Sequence, residues 1–179
     1  MKNKVRIKGT PKEGTPRSKT PSFILELPLR VDWSQENRLR AHLETARCLY
    51  NALLSEGNKR LQKMRHDPAW QSAQLIPRKR SQERAQAFSR LRKQYHFSEY
   101  ELHQYAKVAR VCWIADHIDA TMAQTLASRA YQAVNRVCVR KAKRVRFRSR
   151  GRGIDSVQGK RNDVGLRFSS TPTLGMVAF

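Results

Sequence analysis

The sequence predicts an α+β fold: a small antiparallel β-barrel interrupted by a mainly four-helix block and preceded by a disordered basic arm. Three observations predict it. Residues 23–31 alternate apolar and polar, the next hundred residues carry apolar positions at helical spacing, and alternation returns after residue 140 within an arginine-rich stretch. The expected boundaries are 1–22 for the arm, 23–33 for the first barrel strand, 34–139 for the helical block and 140–179 for the remaining strands.

The arm (MKNKVRIKGTPKEGTPRSKTPS) mixes seven Lys/Arg with Thr, Pro and Gly and lacks the apolar positions that would offset ordering entropy. It also lacks the apolar core of a secretory signal. In Phe23–Val31 the residues Phe23, Leu25, Leu27, Leu29 and Val31 share one face, and Pro28 suits an edge strand or a bulge. Asp32 and Ser34 are candidate N-caps, after which Leu39, Leu43, Ala46, Tyr50, Leu53, Leu61 and Met64 trace a helix over about 35–66, ending at Asp67-Pro68.

A second helix is expected from Pro77, with Ala85, Phe88, Leu91 and Tyr95 on its apolar stripe and a basic opposite face. Ser98 with Glu101 fits a capping box that starts a third helix, whose stripe runs Leu102, Tyr105, Ala106, Ala109 and Trp113. Asp116 to Asp119 can break and recap the chain ahead of a fourth helix through Met122, Leu126, Ala130, Val134 and Val137. Beyond it, Val145 and Phe147 alternate with Arg144, Arg146, Arg148 and Arg150, which reads as a strand with one packed and one cationic face. Ile154–Val157 and Val164–Phe168 are further strand candidates.

Charge dominates the functional reading. There are 37 Lys+Arg against 14 Asp+Glu in 179 residues, a net charge of +23, and nine Lys/Arg with no acid fall between Arg136 and Arg152. Such a balance points to a polyanionic partner. Arginines on alternate strand positions recur at roughly 7 Å, near phosphate spacing, and their forked geometry suits phosphate oxygens. The candidate phosphate contacts are Arg140, Lys141, Lys143, Arg144, Arg146, Arg148 and Arg150, joined by Arg78, Lys79 and Arg80 from a second basic patch that extends through Arg84, Arg90, Arg92 and Lys93 and is expected to line the same groove.

Other chemistries find no support in the sequence. No apolar run approaches the ~20 residues of a membrane span, so no membrane partner is expected. Cys48, Cys112 and Cys138 have neither disulfide-framework nor zinc spacing. Together with the absent signal, this gives a cytoplasmic expectation. Neither a phosphate-cradling glycine loop nor a nucleophile–base–orienter set occurs. Asp116 and Asp119 are better suited to capping than to holding Mg²⁺, Asp155 has no acidic partners at domain-scale spacing, and Trp33, Trp70 and Trp113 are read as packing residues, with base stacking the alternative for Trp70.

The order of several segments resembles the N-terminal half of TnpB, the family of transposon-encoded RNA-guided nucleases (OrfB-like) related to compact type V CRISPR effectors. Those segments are Ala46-Arg47-Cys48-Leu49-Tyr50-Asn51-Ala52-Leu53-Leu54, Ala130-Tyr131-Gln132-Ala133-Val134, Arg146-Phe147-Arg148-Ser149-Arg150, and Leu166-Arg167-Phe168 through Leu174-Gly175. The resemblance covers residues 23–179, with Val145 where the family carries proline. It implies a wedge-like barrel and a helical recognition lobe that hold a guide RNA, its heteroduplex and target double-stranded DNA.

By the same resemblance, His117, Thr121, Gln124, Lys160, Arg161 and Asn162 would approach the target-adjacent duplex, Arg146, Arg148 and Arg150 would hold RNA or heteroduplex phosphate, and Asn51 would fix helix packing. The RuvC-like nuclease domain, with Mg²⁺ and a zinc-binding insertion, would lie beyond residue 179, so no cofactor and no cleavage are expected of this chain. The alternative is a stand-alone basic RNA- or DNA-binding module, ribosome-associated or architectural.

Overall fold

A computed structural model describes residues 30–111 and 113–158, together with the backbone of two short strands near the C-terminus. Its six helices are α1 (Trp33–His66), α2 (Pro68–Leu75), α3 (Ser81–Gln94), α4 (Glu99–Ala109), α5 (Trp113–His117) and α6 (Ala120–Cys138). Strands β1 (Arg167–Ser170) and β2 (Gly175–Ala178) pair antiparallel, with Phe168 opposite Val177.

Helices α1, α2, α4 and α6 each start on a side chain that satisfies a free backbone N–H, whereas α3 follows Arg80 without a side-chain cap. Asp32 accepts from the Gln35 N–H at 2.8 Å while the Gln35 side chain accepts from the Asp32 N–H at 3.0 Å, a complete capping box. Ser98 accepts from the Glu101 N–H at 3.2 Å, and Asp119 accepts from the Met122 N–H at 2.7 Å. At Asp67 one residue closes α1 and opens α2: its carboxylate accepts from the Ala69 N–H at 2.8 Å and Pro68 fills the first helical position.

The ends of α3 and α6 are built alike. Phe97 N–H donates to the Arg92 carbonyl (2.8 Å) and His96 N–H to the Lys93 carbonyl (3.2 Å); Lys141 N–H donates to the Arg136 carbonyl (2.8 Å) and Arg140 N–H to the Val137 carbonyl (3.2 Å). These are Schellman caps whose left-handed position, usually glycine, is held by His96 (φ 51°) and Arg140 (φ 60°).

The core lies where α1 crosses α6 and α6 crosses α4. Leu49, Leu53, Leu54, Leu61 and Met64 of α1 meet Leu126, Ala130 and Val134 of α6 and Leu102 and Ala106 of α4, all buried. Gly57 permits a close approach: a Cβ there would stand 3.2 Å from Val134 Cγ2 and 3.4 Å from Leu102 Cδ1. Gly57→Val is therefore expected to lower the free energy of unfolding by about 1–3 kcal/mol through overpacking, measured by urea denaturation.

The interrupted barrel is not found. Among the described residues the only strands are the β1–β2 ribbon, and residues 144–150 and 154–157, expected as strands, have no strand partner. The backbone groups of Arg148 are satisfied by α1 side chains instead: Asn51 Oδ1 accepts from the Arg148 N–H (2.9 Å), while Asn51 Nδ2 (2.8 Å) and Arg47 Nη1 (3.0 Å) donate to its carbonyl. Arg129 Nη1 likewise donates to the Ser156 carbonyl at 3.2 Å. An extended chain so anchored needs no ladder. Arg30 and Val31 lie in irregular chain, residues 1–29 are outside the described residues, and of Val164–Phe168 only the backbone of Arg167 and Phe168 is described, in β1.

Candidate nucleic-acid interface

Two basic patches, separated by some sixty residues of sequence, converge beside the end of α6. One cavity of about 690 Å³ is lined by Arg65, Trp70, Gln74, Val137 and Arg140 to Lys143. A second, of about 700 Å³, is lined by Trp70, Gln74, Arg78, Arg84, Ala85, Phe88, Ser89, Arg92 and Cys138 to Arg140. They share Trp70, Gln74 and Arg140 and so form one groove between α2, α3 and the exit of α6.

The groove arginines are oriented by neutral acceptors. Arg65 Nη2 donates to the Val137 carbonyl (2.7 Å), Arg84 Nη1 to the Ile76 carbonyl (3.3 Å), and Arg140 Nη2 to Gln74 Oε1 (3.3 Å). Arg92 donates to Tyr131 Oη (3.3 Å) and to Asn135 Oδ1 (3.0 Å). No carboxylate lines either cavity, and among the described residues none stands within ion-pair distance of these four guanidiniums. The carboxylates are committed elsewhere: Glu36 to Arg40 (2.6 Å), Glu44 to Arg47 (2.6 Å), Glu56 to Arg60 (2.7 Å), with Asp32, Asp67 and Asp119 as caps. The carbonyls of the last turn of α6 are occupied by its Schellman cap and by Arg65, so this helix end presents cations to the groove.

Of the predicted phosphate contacts, Arg78, Arg140, Lys141 and Lys143 line the groove. Lys79 and Arg80 are exposed beside it but do not line it, and Arg80 pairs with Glu83 at 3.7 Å. Arg144, Arg146, Arg148 and Arg150 are exposed on the segment anchored to α1. Its alternation is incomplete, since Val145 packs on the core but Phe147 is 52% exposed. Sequence reasoning missed Arg65, Gln74 and α2 as parts of the groove.

The anchor of that segment is polar. Asn51, expected to fix helix packing, instead grips both backbone groups of Arg148 in the non-helical segment, and Glu44 joins Arg47 (2.6 Å) to Arg150 (3.7 Å). The Arg47 hydrogen bond, reinforced by the charges of Arg47 and Arg150, holds the Glu44 carboxyl below the usual carboxylate range. Its stabilisation is complete above that range and is lost as pH falls through the lowered value. Asn51→Ala deletes two hydrogen bonds of about 1 kcal/mol each, so opening of residues 144–152 is expected to become about thirtyfold more populated. Faster trypsin cleavage at Arg146 to Arg152 under native conditions checks this.

The target-adjacent residues do not gather in the groove. His117 is half-buried at the α5–α6 junction, where its carbonyl accepts from His42 Nδ1 at 2.6 Å; Thr121 is half-buried and Gln124 exposed on α6. Lys160, Arg161, Asn162 and Cys112 lie outside the described residues. Trp70 is 8% exposed, meets Phe88 edge to face (centroids 4.9 Å apart) and also lines the groove. Trp33 (80% exposed) and Trp113 (53%) do not pack into the core. Among the described residues no group of three or more His, Cys, Asp or Glu is placed to hold a metal, and no helix is long and apolar enough to cross a membrane.

No family model matches the chain, and no curated protein or solved structure matches it significantly.

Proposed function

We propose that this protein binds nucleic acid by its phosphate backbone, seated in the α2–α3–α6 groove and continued by the exposed arginines of residues 144–150. The observation that carries this reading is the set of groove arginines oriented by neutral acceptors with no carboxylate among the lining residues. Guanidiniums held in place by carbonyls keep their charge and free N–H donors for phosphate oxygens, and lose little side-chain freedom on binding.

Two occupants are distinguished by experiment. In the TnpB-like reading they are a guide RNA and its target duplex, with sequence choice delegated to guide pairing; the order of helices ahead of an arginine-rich segment supports it. In the reading as a stand-alone basic module, any RNA or DNA backbone serves; the closure of α1 to α6 around one core, with every groove residue drawn from that body, supports this second reading. Both readings place the protein in the cytoplasm, and the binding reading alone makes no enzyme of it.

Fluorescence anisotropy with a structured RNA transcribed from the DNA flanking the gene, against an unrelated RNA and a DNA duplex of equal length, tests both. Tighter binding of the structured RNA at every salt concentration supports the guide reading, and equal binding supports the module. Absence of binding to all three at 0.1 M salt would overturn the proposal.

A further inference from the structure

The groove differs from a simple cationic surface in its floor. Trp70 and Phe88 meet edge to face there, Ala85 and Val139 add apolar surface, and the exposed Arg78 and Arg140 flank them. Arg84 lies 5.7 Å over the Phe88 ring centroid, a cation–π contact that sets a guanidinium against the aromatic pair in the lining. Gln74, shared by both cavities, spends its carbonyl oxygen on Arg140 and keeps its amide N–H groups available.

A duplex backbone uses only a cationic rim, because its bases are stacked inside the helix and the floor would stay unfilled. Each cavity, at about 690–700 Å³, falls within the size range of pockets that bury a small ligand. Aromatic and guanidinium planes are the surfaces on which unstacked bases are held in single strands, bulges and loops.

We infer that the groove takes unstacked nucleotides of single-stranded RNA, with a base laid against Phe88 and Trp70, its edge facing the Gln74 amide, and the flanking phosphates on Arg78 on one side and Arg140 and Lys141 on the other. This rests on the proposed nucleic-acid binding and adds a preference that phosphate contacts alone do not give. A duplex must first unstack a base, which costs a few kcal/mol.

The test compares a labelled twelve-nucleotide single-stranded RNA with a blunt RNA duplex of the same sequence at equal salt. The single strand is expected to bind about tenfold more tightly. Phe88→Leu, which keeps apolar volume, is expected to reduce single-strand binding about tenfold, as loss of one base–aromatic stack does, and to leave duplex binding unchanged. Gln74→Ala, on an accessible helix face, provides a second variant should Phe88→Leu fail to fold, with a smaller loss again confined to the single strand. Equal binding of both forms, or equal losses for both, overturns the inference while leaving backbone binding intact. Binding of neither form overturns the proposed function with it.

Discussion

Replacing Arg78 by alanine together with Arg140 by glycine is expected to weaken RNA binding about a hundredfold at constant salt. Two charge-assisted contacts at about 1.5 kcal/mol each amount to about 3 kcal/mol, and a factor of ten corresponds to about 1.4. The slope of log K against log salt should become shallower by about 1.4–1.8, the share of two phosphate contacts. The choice of glycine matters. Arg140 occupies the left-handed position of the α6 cap at φ 60°, where an L-residue bears about 1–2 kcal/mol of strain that glycine relieves. The double variant should therefore melt no lower than the parent, which separates lost binding from lost structure. An unchanged slope would show that these two cations do not meet phosphate.

Phe97→Ala is expected to cost about 3–5 kcal/mol of stability, a large part of the total for a domain of this size. Phe97 is 2% exposed and follows the left-handed His96 at the end of α3, where the cap turns it into the core against Tyr131 (centroids 5.6 Å apart). Arg92 stands 5.6 Å over its ring while donating to Tyr131 and Asn135 of α6. One aromatic ring thus supports both the α3–α6 junction and a groove arginine. Urea denaturation measures the loss. A change below about 1 kcal/mol would mean that the junction is held by other contacts.

The helices were legible because their signals are local. Asp32 and Ser98 as caps, and the spacing of Leu49, Leu53 and Leu61, are short-range properties of an amphipathic helix. Two boundaries were not. Asp67-Pro68 reads as a stop, yet the same pair is an N-cap with proline at the first helical position, and this hides α2; Pro77, read as the start of α3, instead accepts from the Arg80 N–H in a turn ahead of Ser81.

The barrel failed for a tertiary reason. Alternation over Val145 to Arg148 is real in the sequence but too short to specify a ladder, and Asn51, a hundred residues earlier, supplies the hydrogen bonds a strand partner would have given. The groove was half legible. Clusters of arginine announced two patches, whereas their meeting depends on α2 and on Arg65 reaching the end of α6, a contact spanning 72 residues that no local pattern reveals.

The central claim is that the groove between α2, α3 and the end of α6 holds nucleic-acid backbone, and NMR of the arginine side-chain Nε–H signals during titration with a twelve-nucleotide RNA tests it most directly. Signals of Arg78, Arg84, Arg92 and Arg140 should shift together and saturate at one RNA concentration, while Arg40, paired with Glu36 near the start of α1, stays in place. Shifts confined to arginines outside the groove, with those four unmoved, would contradict it.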